Sequence, residues 1–212
     1  MTFQGFSAET FAAFSIPDFP GRMAGIRQLV RPRLLELGSD LADRIADASG
    51  IPTFPHAAQH MRRRVNPPKE TWAAFARDKK GYKRWTHFRV ALSETRLRTT
   101  VFIEDDADDK PIAATGLGLH AARLVELGLS APEIAWEVGI AAADQFELAA
   151  PALAELGGVL ESRKLARLQV GISVPSTAAL NWQAAEQEQW MLECVERLMP
   201  VYLLGVTGSP EK

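Results

Sequence analysis

Between His60 and Arg89 the chain carries ten basic side chains, Arg62, Arg63, Arg64, Lys69, Arg77, Lys79, Lys80, Lys83, Arg84 and Arg89, against Glu70 and Asp78. That window is net plus eight in a chain whose overall formal charge is −2, so the remainder is markedly acidic. Lysine and arginine hold polyanions through phosphate contacts and counterion release, and exposed aromatic rings stack on bases. Trp72, Phe75, Tyr82, Trp85 and Phe88 interleave with the cations. The pattern points to a non-catalytic surface for a phosphate-rich or otherwise anionic partner, with nucleic acid the leading candidate and a phosphorylated small molecule the other. Its expected contact residues are Arg62, Arg63, Arg64, Lys69, Trp72, Lys80, Tyr82, Lys83, Arg84 and Arg89. The competing reading is a solvated rim over buried aromatic rings, balancing acids elsewhere. Two basic loops stand out, Asn66-Pro67-Pro68-Lys69 and Lys80-Gly81-Tyr82-Lys83. Gly81 can adopt a positive φ, and if the loops share one end of a sheet they form an anion clamp.

Three histidines offer a second chemistry. His56, His60 and His87 are candidate acid–base groups for an enzyme acting on a small anionic substrate, because imidazole titrates near pH ~6.5. In an extended segment His56 and His60 share a face but lie roughly 13 Å apart, too far to ligate one ion. No metal or cofactor is expected. Gly116-Leu117-Gly118-Leu119-His120-Ala121 satisfies the letter of a dinucleotide fingerprint, with Glu137 at a suitable distance, but no hydrophobic strand precedes it. Close helix packing explains these small residues better. The acids Glu104, Asp105, Asp106, Asp108 and Asp109 lack the glycine and twelfth-position acid of a calcium loop. They suit the start of a helix instead. No Gly-x-Ser-x-Gly elbow occurs, and Cys194 falls in an amphipathic helix.

The elements that position these residues follow from periodicity and punctuation. Ser7 caps a short helix with Phe11 and Phe14, and Pro20 opens a longer one with Met23, Ile26, Val30 and Leu34, which Pro32 should kink or divide. Ser39 is the expected N-cap of a third helix carrying Leu41, Ile45 and Ala48 inward, with Gly50 at its end. From Thr53 the period drops to two, placing Phe54, His56, Ala58 and His60 on one face of a strand that Asn66-Pro67-Pro68 ends. Trp72 to Arg77 reads as another strand. Residues 86–104 form the clearest hairpin: Phe88, Val90 and Leu92 join Leu97, Thr99, Val101 and Ile103 on one face, with His87, Arg89, Arg98 and Thr100 on the other. A sheet with one buried and one polar side follows, and the polar side is where a site is expected. Further expectations are a helix from Pro111 to about Leu127 and strands at 134–141 and 167–174. A last helix is capped by Asn181, with Trp182, Ala185, Leu192, Val195 and Met199 as its stripe, and stopped by Pro200.

Several of these segments resemble the YktB-like bacterial family. They are Thr2-Phe3-Gln4-Gly5-Phe6 with Phe11 and Phe14, Arg22-Met23, Ile26-Arg27, His56-x-x-x-His60, Arg62-Arg63 and Asn66-Pro67-Pro68-Lys69-Glu70-Thr71-Trp72. Lys80-Gly81-Tyr82-Lys83 and His87-Phe88 continue the likeness, and Met199-Pro200-Val201-Tyr202 is similar to the family's ending. The resemblance covers residues 2 to about 104, while residues 105–180 depart from it. It implies a cytoplasmic α/β protein and no particular activity.

Composition sets the outer bounds. With 212 residues, 47% of them hydrophobic, the chain has material for one large domain, expected over residues 1–207 with a loose tail at 208–212. A single cysteine excludes an internal disulfide, and the first residues lack the layout of a secretory signal. No stretch has the apolar length of a membrane span. The expected class is α+β: a mostly antiparallel sheet covered by helices, in a cytoplasmic protein, with a protein-interaction module as the remaining alternative.

Overall fold

The computed structural model describes residues 2–61, 65–139, 144–145 and 150–212. Seven strands form one sheet: β1 (Phe54–Ala57), β2 (Glu70–Ala76), β3 (His87–Ser93), β4 (Arg96–Ile103), β5 (Ile134–Gly139), β6 (Asp144–Gln145) and β7 (Arg167–Pro175). Their order is β1-β2-β3-β4-β7-β5-β6, and every pairing is antiparallel. The fold is therefore α+β. Leu92 faces Leu97 across the β3–β4 turn, which keeps both apolar sets on one side as the spacing predicts.

The row Phe75, Phe88, Val101, Val170, Trp136 runs across five strands on the buried face. Helices α4 (Gly38–Ser49), α5 (Lys110–Glu126), α6 (Ala150–Ser162) and, after the short α7 (Ser176–Ala179), α8 (Ala184–Thr207) close that face, and the Tyr202 ring of α8 sits 4.9 Å from Phe88. The opposite face carries the parallel row His56, Ala74, Arg89, Thr100, Gly171, and this polar side holds the site.

The N-terminal third follows its punctuation closely. Ser7 and Thr10 exchange a capping box at α1 (Ala8–Ala12), and the Asp18 carboxylate accepts from the Gly21 amide at the start of α2 (Phe19–Gly25). A π-turn over Ile26–Val30 leads into α3 (Arg31–Glu36), whose first turn contains Pro32. Proline needs no donor there, so it divides the helix. Helix α4 departs from expectation: it begins at Gly38, so Ser39 lies inside its first turn. Ala48 is exposed, and Ser49 is buried in its place, its hydroxyl donating to the Ile45 carbonyl. Gly50 closes α4 at φ +76°.

Three further expectations are corrected. The strand from Thr53 does not reach Met61, because β1 ends at Ala57. Ala58 still donates to the Trp72 carbonyl, but His60 takes a φ of +52° and turns the chain away. His56 and His60 thus do not share a strand face. The last helix is capped by Gln183, in a box with Glu186, rather than by Asn181. Pro200 does not stop that helix. An interior proline costs about 3 kcal/mol, but Val201, Tyr202, Leu203, Leu204 and Val206 beyond it are buried, each worth about 1.5–3 kcal/mol. Of the strand expected at 134–141, positions 140–141 lie outside the described residues. Gly208 caps α8 in the left-handed region, and Glu211 pairs with Arg123 at 2.5 Å.

Candidate functional site

On the polar face, at the β1–β2–β3 end of the sheet, a cleft of about 850 Å³ opens between three segments. One wall is the connection from β2 to β3, carrying Asp78, Lys80, Gly81, Tyr82, Lys83 and Arg84. The second is His56 of β1 and the turn after it with His60 and Met61, and the third is α3 with Arg31 and Leu35. Trp72 of β2 lies between them. Ala74 and Ala76 behind the cleft are fully buried and small, so the Tyr82 ring can lie close to His56 and His87, at 5.8 and 5.0 Å between centroids.

Beneath these rings Arg89 is only 6% exposed. Its guanidinium lies 3.5 Å from the Phe102 ring centre, 4.7 Å from Trp72 and 5.7 Å from Tyr82, and it donates to Glu104 at 2.6 Å. Desolvation pulls the Arg89 pKa below its ordinary value against the opposing pull of Glu104. Buried charge of this kind needs a partner and full hydrogen bonding. Arg89 therefore belongs to the interior and offers no surface charge, contrary to the sequence expectation. His87 is wholly buried: its Nδ1–H donates to the Trp85 carbonyl at 2.7 Å, and its Nε2 accepts from Arg89 Nε at 2.9 Å. Burial first and the Arg89 charge second push its pKa well below the usual imidazole value. A wholly buried ring with both nitrogens engaged is closed to a substrate in the cleft.

His56 differs. Its Nε2 lies 2.9 Å from the Asp78 carbonyl, which can only accept, so Nε2–H donates and Nδ1 has no partner among the described residues. The Asp78 carboxyl is held below its ordinary pKa, chiefly by the Lys80 amide that it accepts from at 2.8 Å. His60 Nε2 is 2.9 Å from the Thr71 hydroxyl, and its ring meets Trp72 edge-on at 5.4 Å. Burial raises the Tyr82 pKa above its ordinary value.

The other cations of the window are dispersed. Arg77 stacks on Trp85 at 3.7 Å and approaches Asp109 at 4.0 Å, Arg84 pairs with Asp108 at 2.7 Å, and Lys79 covers the Phe54 ring at 4.9 Å. Lys69 stands just before β2, whereas Lys80 and Lys83 follow it. Seven residues at about 3.3 Å each separate the two loops by roughly 20 Å. The clamp drawn from sequence does not form, and Gly81 is not among the positive-φ residues. Arg62, Arg63 and Arg64 lie outside the described residues. Arg31, Lys80 and Lys83 line the cleft and have no ion-pair partner among the described residues.

Sequence reasoning missed Arg31 and Leu35, because nothing in the Arg31-Pro32 pair announces that α3 packs against β1 and β2 beside the cleft. It also missed the use of the acidic run. Glu104, Asp108 and Asp109 answer Arg89, Arg84 and the Thr86 amide, and Asp105 answers Arg167. Alternating signs some twenty residues apart were the available signal. The dinucleotide-like glycines sit inside α5, where a Cβ at Gly116 would come 2.9 Å from Leu204 Cγ. Among the described residues no group of three or more histidine, cysteine, aspartate or glutamate side chains gathers as a metal site. Among them, too, no helix is long and apolar enough to cross a membrane.

An antiparallel sheet with its core-forming helices on one face and a basic, aromatic cleft, walled in part by α3, on the other defines an α+β protein whose conspicuous recess is on its polar side. The chain belongs to the family described as Domain of unknown function (DUF1054), which matches residues 6–202. UPF0637 proteins of Staphylococcus aureus strains Newman, MRSA252 and bovine RF122/ET3-1 are each 40% identical to it over 114 residues, 54% of this chain and 56% of theirs. The chain thus spans about half the length of the curated relatives it matches. The YktB-like resemblance of the N-terminal half agrees with this membership.

Proposed function

We propose that the cleft binds a small anionic molecule, with Arg31, Lys80 and Lys83 supplying charge and Trp72 and Tyr82 supplying contact area. The observation that carries this reading is the convergence of three cations lacking ion-pair partners, among the described residues, on one recess of about 850 Å³. Recesses of about 300–1,000 Å³ suit small ligands. An extended polymer track is less well supported, because Arg77, Arg84 and Arg89 are turned toward acids and Lys69 stands at the far end of β2.

The test is thermal unfolding in low salt with phosphate, sulfate or pyrophosphate, alongside anisotropy of labelled single-stranded RNA, single-stranded DNA and duplex DNA. A small anion at a hundredfold excess over its Kd adds about 2.7 kcal/mol, which is about 5–10 °C for a chain of this size. The shift disappears in a Lys80→Gln/Lys83→Gln variant. Oligonucleotide binding with no response to any small anion contradicts the proposal.

A second reading makes the protein an enzyme with His56 as acid or base. It is favoured by the anchoring of Nε2 on the Asp78 carbonyl, which leaves Nδ1 without a partner among the described residues at the wall of the cleft.

A further inference from the structure

The cleft has two chemically different ends. Toward the β2–β3 connection it presents Lys80 and Lys83 with the Asp78 carboxyl; toward α3 and the turn after β1 it presents Leu35, Met61 and the Trp72 ring beside Arg31. Leu35 and Met61 are 55% and 74% exposed, large apolar side chains left in water at one recess. A simple anion such as phosphate would engage the first end and leave the second wet. We infer that the ligand joins an anionic group to a planar ring, as a free mononucleotide does. Its phosphate lies against Lys80 and Lys83, and its ring lies on Trp72 between Leu35 and Met61. This assignment rests on the proposal that the cleft binds anions.

Three further features suit a ring. Trp72 and Tyr82 are both part-exposed at the cleft and both backed by the buried Arg89 guanidinium. Arg89 is held in turn by Glu104 and His87, so the aromatic wall is fixed before a ligand arrives and little ordering is needed on binding. Arg31, on the α3 side, places a third cation near the ring end, where cation–π contact favours an electron-rich base. The volume exceeds the need of a bare phosphate and falls within the range of a small organic ligand.

Isothermal titration of the full chain with adenosine monophosphate, uridine monophosphate, adenosine, ribose 5-phosphate and inorganic phosphate separates the parts. A 5′-phosphorylated single-stranded RNA hexamer serves as the polymeric arm. The expected result is saturable binding of at least one mononucleotide, about tenfold or more tighter than ribose 5-phosphate or adenosine, since base stacking on an aromatic ring is worth about that factor or more. Trp72→Leu removes the advantage and leaves ribose 5-phosphate unchanged. If Trp72→Leu does not fold, the exposed pair Leu35→Ser/Met61→Ser serves instead, with a several-fold loss confined to the mononucleotide. Equal affinities for the mononucleotides and ribose 5-phosphate overturn the ring assignment and leave the anion reading standing. Tighter binding of the hexamer overturns the free mononucleotide in favour of a chain end. No binding of any phosphate-bearing probe overturns both.

Discussion

Arg89 and Glu104 form an ion pair whose side chains are both more than nine-tenths buried, with His87 as a second acceptor for the guanidinium. Removing one member of such a pair strands a charge and costs about 3–5 kcal/mol, whereas replacing both with apolar groups is close to neutral. Arg89→Met is expected at the lower end, about 3 kcal/mol, because Arg167 lies 3.6 Å from the other Glu104 oxygen and answers part of its charge. Arg89→Met/Glu104→Leu should lose less than either single change, as urea unfolding will show. His87 supplies a pH signature. Its folded pKa is depressed below the imidazole value, so the unfolded chain binds the extra proton first as pH falls. The stability it contributes is complete above about pH 6.5 and declines as pH falls from there toward the folded value. Unfolding free energies at pH 7.5 and 5.0 should differ more for the native chain than for His87→Gln. Cys194 does not take part, because burial lifts its thiol to about 12.

At the scale of elements, packing decides where glycines sit. Helices α5 and α6 cross so closely that a Cβ on Gly157 would lie 2.6 Å from the Ala114 carbonyl oxygen, while one on Gly118 would meet nothing within 4 Å. Gly157→Ala is expected to destabilise by about 1–3 kcal/mol through overpacking, and Gly118→Ala to stabilise by about 0.4–1 kcal/mol through backbone entropy. Opposite signs in a thermal melt would confirm that these small residues serve helix contact. A gain from Gly157→Ala would refute it. The elements themselves were largely legible. Alternation in 86–104 gave the hairpin, its register and its two faces, and Ser7, Pro20, Pro32 and Gly50 marked the helices. What failed depended on tertiary context. Pro200 carries a local stop signal that five buried side chains beyond it outweigh. The alternation through His60 was cut by one left-handed residue that no neighbour announces. The two basic loops looked alike in sequence, and only the direction of β2 sets them apart.

For the whole molecule, the sheet separates two tasks. Its apolar face carries the helices and the core, and its polar face is left partly open, with charge gathered at one end. The sequence shows the excess of cations between 60 and 89 but not its distribution, because the compensating acids lie in a run some twenty residues further on. The residue types of the candidate site were therefore legible, whereas the recess that joins Arg31 to Lys80 was not. The central proposal is that the cleft takes a small anion. Amide chemical-shift mapping of the labelled protein during titration with pyrophosphate tests it most directly. The account predicts saturating shifts at one stoichiometric site, confined to Arg31–Leu35 of α3, His56 and the turn that follows β1, Trp72 and the Asp78–Arg84 connection. Shifts centred on Lys69 or on α8, or no saturable change at all, would contradict it.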